Sequence, residues 1–93
     1  MFKINEYFDG KVKSIAFENA DGSQTVGVMA VGEYEFGTST VEIMTVVSGR
    51  LIIQQPGSSD WKTYNKGESF EVAKNVKFNV KVEEASSYLC AYK

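Results

Sequence analysis

The sequence predicts an all-β barrel or sandwich, and three observations point that way. Apolar residues recur at a spacing of two through most of the chain, which puts them on one face of a strand. The intervening segments hold Gly, Asn, Asp and Ser, the residues of turns. No stretch carries the periodicity of an amphipathic helix. About nine short strands divided by frequent turns suit a sheet that is closed or doubled, because either arrangement removes exposed edges.

Val12 to Phe17 reads as the first strand, with Val12, Ser14 and Ala16 on one face and Lys13, Ile15 and Phe17 on the other. Asn19-Ala20-Asp21-Gly22 supplies a turn. Thr25 to Val31 and Glu33 to Phe36 read as a strand pair or as one long bent strand. Gly32 is then the bulge or corner, where a side chain would obstruct curvature. Glu42 to Val47 ends at Ser48-Gly49, and Leu51 to Gln55 returns as the second arm of a tight hairpin, stopped by Pro56-Gly57-Ser58-Ser59. Trp61 to Tyr64, Ser69 to Val72, Val76 to Val82 and Ser87 to Tyr92 complete the set. No linker, repeat or low-complexity segment interrupts residues 1–93, so one domain is expected over that span.

Composition bounds the function. A chain of 93 residues that is 43% hydrophobic builds one core. So small a core stabilises a fold only marginally, and strand edges or apolar faces are expected to be covered by a second copy, as a homodimer. Ten basic residues stand against 12 acidic ones and are scattered singly, which excludes nucleic-acid binding through a basic face. The single Cys90 makes no intrachain disulfide, and Met1-Phe2-Lys3-Ile4-Asn5-Glu6 lacks the apolar run of a secretory signal, so a cytoplasmic protein is expected. No apolar stretch nears the roughly 20 residues that cross a bilayer as a helix. The longest is broken by Gly27, Gly32 and Thr45.

The chain has no histidine. Ser-His-Asp and Cys-His arrangements are therefore excluded, and neither a G-x-x-x-x-G-K-[ST] nor a G-x-G-x-x-G loop occurs. Cys90 lies inside an apolar strand, where a thiol behaves as a small hydrophobe.

Two segments carry a recognisable layout. In the first, Gly32-Glu33-Tyr34-Glu35-Phe36 leads to Glu42-Ile43-Met44-Thr45-Val46-Val47-Ser48-Gly49. The second is Gly67-Glu68-Ser69-Phe70-Glu71-Val72-Ala73-Lys74-Asn75-Val76-Lys77-Phe78. Together they resemble the two conserved motifs of the cupin superfamily. The resemblance implies a small single-domain cupin-like barrel, an RmlC-like jelly roll. Most such barrels hold a metal through two His and a Glu from the first motif and a His from the second. Here only Glu42 remains of that set, and Phe78 falls where the last His would be. One carboxylate cannot hold a transition metal, which takes about three protein ligands. No metal or other cofactor is expected.

Over nearly its whole length the chain resembles one cupin-like family, the pyrimidine/purine nucleoside phosphorylases. The match runs through Asn5-Glu6-Tyr7-Phe8, Gly10-Lys11-Val12-Lys13-Ser14-Ile15, Val26-Gly27-Val28-Met29, Gly32-Glu33-Tyr34 and Phe36. It continues through Glu42-Ile43-Met44-Thr45-Val46, Ser48-Gly49, Asp60-Trp61, Gly67, Phe70, Val72, Phe78 and Ser87-Tyr88-Leu89-Cys90. Ala73 departs from it, standing where the family is expected to show proline. The resemblance implies phosphorolysis of nucleosides to a free base and ribose 1-phosphate, with wide base tolerance, phosphate as co-substrate and no metal.

That chemistry needs devices for a sugar, an anion and a base. For the sugar, a carboxylate would accept hydrogen bonds from ribose hydroxyls and favour the positive charge developing on the ring. Glu42 is the candidate: alternation turns Glu42, Met44 and Val46 inward, and an acid in apolar surroundings is expected to have a raised pKa. Its other reading is a glutamate on the rim, in water. For the phosphate, Thr38, Ser39 and Thr40 after Gly37 form a hydroxyl-rich loop, which otherwise is an ordinary turn with self-bonded hydroxyls. Arg50 and Lys77 are charge partners or solvated surface residues. For the base, tolerance of purines and pyrimidines calls for π faces, and Tyr34, Phe36, Met44, Phe78 and Tyr88 are candidates, against their ordinary reading as core. Trp61 reads as a structural anchor or subunit contact. Two alternatives compete: a non-catalytic module binding a small sugar-like or apolar ligand, and a sugar isomerase or epimerase, which would want a histidine base.

Overall fold

Ten strands and no helix make up residues 2–93, the part of the chain that the computed structural model describes. They are β1 (Lys3–Tyr7), β2 (Val12–Asn19), β3 (Gly22–Met29), β4 (Gly32–Gly37), β5 (Glu42–Ser48), β6 (Arg50–Gln54), β7 (Lys62–Asn65), β8 (Ser69–Val72), β9 (Lys77–Val82) and β10 (Ser86–Tyr92). Six of them form one sheet in the order β1-β2-β3-β10-β5-β8, and four form a second in the order β4-β9-β6-β7. Every pairing is antiparallel. With no helix present, none is long and apolar enough to cross a membrane.

The inner faces of the two sheets meet in one core, because successive side chains of a strand point to opposite faces. Val12, Ser14 and Ala16 of β2 turn inward, while Lys13 and Ile15 turn out. The same alternation buries Met44 and Val46 of β5, Leu51 and Ile53 of β6, Phe70 and Val72 of β8, Phe78, Val80 and Val82 of β9, and Tyr88 and Cys90 of β10.

Four details differ from the sequence reading. β1 was not anticipated: its one aliphatic side chain, Ile4, points outward, so Lys3 to Tyr7 offers no inward apolar stripe. β3 runs three residues earlier than the apolar pattern, because the ladder to β2 continues through Asn19↔Gly22 although Gly22-Ser23-Gln24 is not hydrophobic. It stops at Met29, where Ala30 and Val31 carry the chain across to the second sheet, so Gly32 opens a separate strand. The expected hairpin after Ser48 is a corner instead. β5 and β6 follow one another tightly but lie in different sheets and pair with other strands. Gly49 makes that corner with φ of +79°, and the Ser86 hydroxyl lies against it, donating to Arg50 O at 3.0 Å and accepting from Arg50 N at 3.1 Å. A Cβ at Gly49 would collide with Ser86 as well as strain the backbone.

Candidate functional site

The interior is not filled evenly. Small residues at Ser14, Gly27 and Gly37 leave room beside β5 and β10, and a cavity of about 480 Å³ opens there. Gly27 is required by packing: a Cβ on it would lie 2.5 Å from the ring of Tyr88, which occupies that space and forms part of the cavity wall. Glu42 and Met44 of β5, Phe36 of β4, Phe78 of β9 and Tyr88, Cys90 and Tyr92 of β10 line the rest, with Ser14 and Met29 at the back. Tyr7, Phe8, Glu35 and Gly37, all exposed, mark its opening.

Glu42 shares the inward face of β5 with Met44 and Val46 and is itself half-buried. Burial pushes its carboxyl pKa up, and a hydrogen bond from the Cys90 thiol to Oε1, at 3.4 Å, works against that rise. Three weak acids around it stay neutral. Burial pushes the Tyr88 phenol up to about 12 and the Cys90 thiol up to about 12, and drives the Tyr92 phenol well above the ordinary tyrosine range. The Tyr92 hydroxyl is paired with Thr25 Oγ1 at 3.0 Å. The cavity therefore offers one half-buried carboxylate, Glu42, beside neutral phenol and thiol groups, with the exposed Glu35 at its opening. No lysine or arginine is among the residues that line it.

Of the aromatic candidates, Phe36, Phe78 and Tyr88 reach the cavity, and Met44 joins them. Tyr34 does not; it is buried behind them, its hydroxyl donating to Ala30 O at 2.6 Å. Its ring supports Phe8, whose centroid is 4.9 Å away, and Phe8 stands edge-on to Phe36 at 5.5 Å. Phe8 lines the cavity although residue patterning did not single it out. It follows β1 in a turn where Phe8 and Asp9 have φ of 53° and 56°, values uncommon for residues with a Cβ. Tyr7, Ser14, Cys90 and Tyr92 were likewise not assigned to a site. The inward parity of Ser14, Tyr88 and Cys90 was legible, but which strands face one another was not.

The hydroxyl-rich loop lies just beyond Gly37 and does not line the cavity. Thr38 is committed to the fold, since its hydroxyl donates to Ala73 O at 2.6 Å and accepts from Val76 N at 3.1 Å. Ser39 is exposed. Thr40 Oγ1 is buried and has no hydrogen-bond partner among the described residues, an unusual state for a buried hydroxyl. Arg50 is taken up by Glu83 and Glu84 at 3.2 and 3.1 Å, away from the cavity. Lys77 begins β9 opposite Gly37 and is exposed. Trp61 sits over the outer face of the four-stranded sheet, with Lys81 Nζ 4.7 Å from its ring centre. Among the described residues no group of three or more His, Cys, Asp or Glu side chains could hold a metal ion.

Comparison with known proteins agrees with the architecture. The sequence model of the pyrimidine/purine nucleoside phosphorylase family matches residues 2–92. Over 93 residues the chain is 60% identical to a Pseudomonas putida (strain W619) protein of that name, covering 100% of this chain and 99% of the relative. A Vibrio parahaemolyticus protein of unknown function, solved by crystallography, superposes with a TM-score of 0.97 at 47% identity, covering 100% of this chain and 99% of that one. An RmlC-like cupin from Shewanella frigidimarina superposes with a TM-score of 0.74 at 16% identity, covering 99% and 83% of the two chains, which is a likeness of fold. The two facing sheets are thus a cupin-like all-β fold.

Proposed function

The chain belongs to the pyrimidine/purine nucleoside phosphorylase family and is a nucleoside phosphorylase, splitting purine and pyrimidine nucleosides with phosphate into free base and ribose 1-phosphate; we propose that it does so in the cavity at Glu42, without a metal. The observation that carries this reading is the cavity itself: a half-buried carboxylate, neutral phenols and aromatic walls around about 480 Å³.

In this reaction a phosphate oxygen bonds to C1′ as the bond from C1′ to the base nitrogen breaks. The electron pair of that bond leaves with the base, which then takes up a proton. While the bond to the base is largely broken and the bond to phosphate only partly formed, the ribose carries positive charge. Glu42 accepts hydrogen bonds from the ribose hydroxyls and stabilises that charge, and its partly desolvated position strengthens both effects. Tyr88 and Tyr92, held neutral, donate hydrogen bonds rather than protons. The base lies against Phe36 and Phe78, with Phe8 at the mouth, Met44 beneath and Tyr34 supporting from behind. Stacking does not read hydrogen-bond patterns, which suits tolerance of both base classes.

The phosphate is placed at the Gly37 mouth of the cavity, beside Thr38, Ser39 and Thr40, which adjoin the lining without forming part of it. The partnerless hydroxyl of Thr40 supports this placement, with Thr38 holding the loop to Ala73 and Val76. The enzyme works as a cytoplasmic homodimer. Its lone, buried Cys90 suits a reducing compartment. The outer face of the six-stranded sheet supports the second subunit: Ile4, Ile15, Val26 and Leu89 lie in one row across β1, β2, β3 and β10. Ile4 is 69% exposed and nearby Val28 is 54% exposed, and contiguous apolar surface of this kind marks subunit contacts. Purified protein incubated with phosphate and uridine or adenosine is expected to release free base. Release no greater than that of a Glu42→Ala control across several nucleosides would sink the assignment.

A further inference from the structure

Glu42 has one hydrogen-bond partner among the described residues, and that partner is a thiol. β5 and β10 are antiparallel neighbours that place Tyr92 opposite Glu42 and Cys90 opposite Met44, so both β10 side chains face the same interior as the carboxylate. Tyr92 is engaged with Thr25, whereas Cys90 Sγ donates to Glu42 Oε1 at 3.4 Å. Cys90 is 2% exposed, so water does not compete for its proton. We infer that Cys90 is a positioning residue for this enzyme: its S–H fixes Glu42 Oε1 against β10 and leaves Oε2 to receive the ribose. This rests on the reading of Glu42 as the group that engages the sugar.

A thiol suits the task because it orients a carboxylate without quenching it. S–H is a weak donor with a long reach, so it lowers the basicity of the acceptor less than a hydroxyl at close range would. Burial and then the neighbouring Glu42 charge keep the thiol protonated, at a pKa of about 12, so the bond persists across the range in which Glu42 titrates. The titratable groups facing Glu42 around the cavity are Cys90, Tyr88 and Tyr92 from β10, Tyr7 from the end of β1 and Glu35 from β4. The side chains that β2, β3, β8 and β9 turn toward it, Ser14, Met29, Val72 and Phe78, carry no charge.

The experiment compares the whole enzyme with Cys90→Val, which keeps an apolar side chain of similar size and removes the donor, and with Cys90→Ser, which restores a donor. Uridine phosphorolysis is followed as kcat and KM from about pH 4 to 9, starting at the ordinary glutamate range and extending upward in the direction of the shift. Loss of a hydrogen bond to a charged group predicts that Cys90→Val lowers kcat about tenfold or more while KM for uridine changes less. The acid limb of the profile moves to higher pH, because the bond that held the Glu42 pKa down is gone, and Cys90→Ser recovers most of both. Wild-type kcat and an unmoved limb in Cys90→Val would overturn the inference while leaving the activity standing; an unmodified protein without phosphorolysis would instead overturn the function. A second readout depends on neither catalysis nor the folding of the cysteine variants. Cys90 is the one cysteine in the chain, so the infrared S–H stretch reports it alone. The band is expected at lower frequency in the native protein than in Glu42→Ala, and an identical band in both would exclude the bond.

Discussion

The two halves of the interior are built by the same alternation and serve opposite ends. Under β6, β7 and β8 the space is filled: Val46, Leu51, Ile53, Val72, Val80 and Val82 are almost wholly buried, and no residue of β6, β7 or β8 reaches the cavity. Beside β1, β4 and the end of β10 the same inward positions hold Ser14, Gly27, Glu42, Cys90 and Tyr92, and the interior stays open. Close packing supplies stability, and polar or missing atoms at core positions forfeit it. The barrel gives up core at one side to keep a cavity and relies on the branched aliphatic side to hold the fold.

The sharpest break of this contrast is Glu42→Gln. On the proposed role of Glu42 in stabilising transition-state charge, its removal is expected to lower kcat/KM by about 10²- to 10³-fold, as measured by steady-state phosphorolysis. Stability is expected to move the other way. The folded pKa of Glu42 lies above its unfolded value, so its folded-state penalty is absent below the unfolded pKa and is felt as pH rises through the folded one. Glu42→Gln should therefore raise Tm at neutral pH, and the difference should vanish in acid. An equal or lower Tm at neutral pH would show that the carboxylate is not strained by burial.

Leu51→Ala is the mirror experiment. Leu51 has no exposed surface, and truncating such a residue costs about 2–5 kcal/mol, read as a lower denaturation midpoint. At a temperature where the variant remains folded, kcat should be unchanged; a matching loss of kcat would mean the two halves are not separable.

The outer faces repeat the contrast more mildly. The six-stranded sheet exposes Ile4, Ile15, Val26, Val28 and Val47, whereas the four-stranded sheet exposes Glu33 and Lys77. If the proposed dimer forms through this face, Val28→Glu is expected to turn it into a monomer in sedimentation velocity, while Glu33→Lys should leave the mass unchanged. The smallest effect is expected at the mouth. Phe8→Ala removes one stacking face, worth about 1–3 kcal/mol at most when a base rests on it. KM should rise about tenfold for uridine and adenosine alike, and a rise for one base class only would point to hydrogen-bond recognition instead.

Much of this was legible in the chain. Val12, Ser14 and Ala16 on one face of β2, and Glu42, Met44 and Val46 on one face of β5, followed from the two-residue period alone, because that period is a property of the extended backbone. The absence of histidine limited the chemistry at once. β1 escaped because its apolar side chain turns outward, and the corner at Gly49 was read as a hairpin because a tight turn looks the same whether its strands pair or part.

Residue type and local spacing were enough for the all-β class and the inward parity of most strands, and they singled out Glu42 as the carboxylate on which the proposed chemistry rests. Only the tertiary structure decided which inward residues meet. The sheet order β3-β10-β5 sets Tyr88 over Gly27 and Cys90 beside Glu42, and the bend after β1 brings Phe8 to Tyr34 and Phe36. Those contacts join residues distant along the chain, and no local spacing encodes them. The thiol at Glu42 is the plainest case: as sequence Cys90 is a small hydrophobe in a strand, and only the pairing of β10 with β5 makes it a donor to the carboxylate.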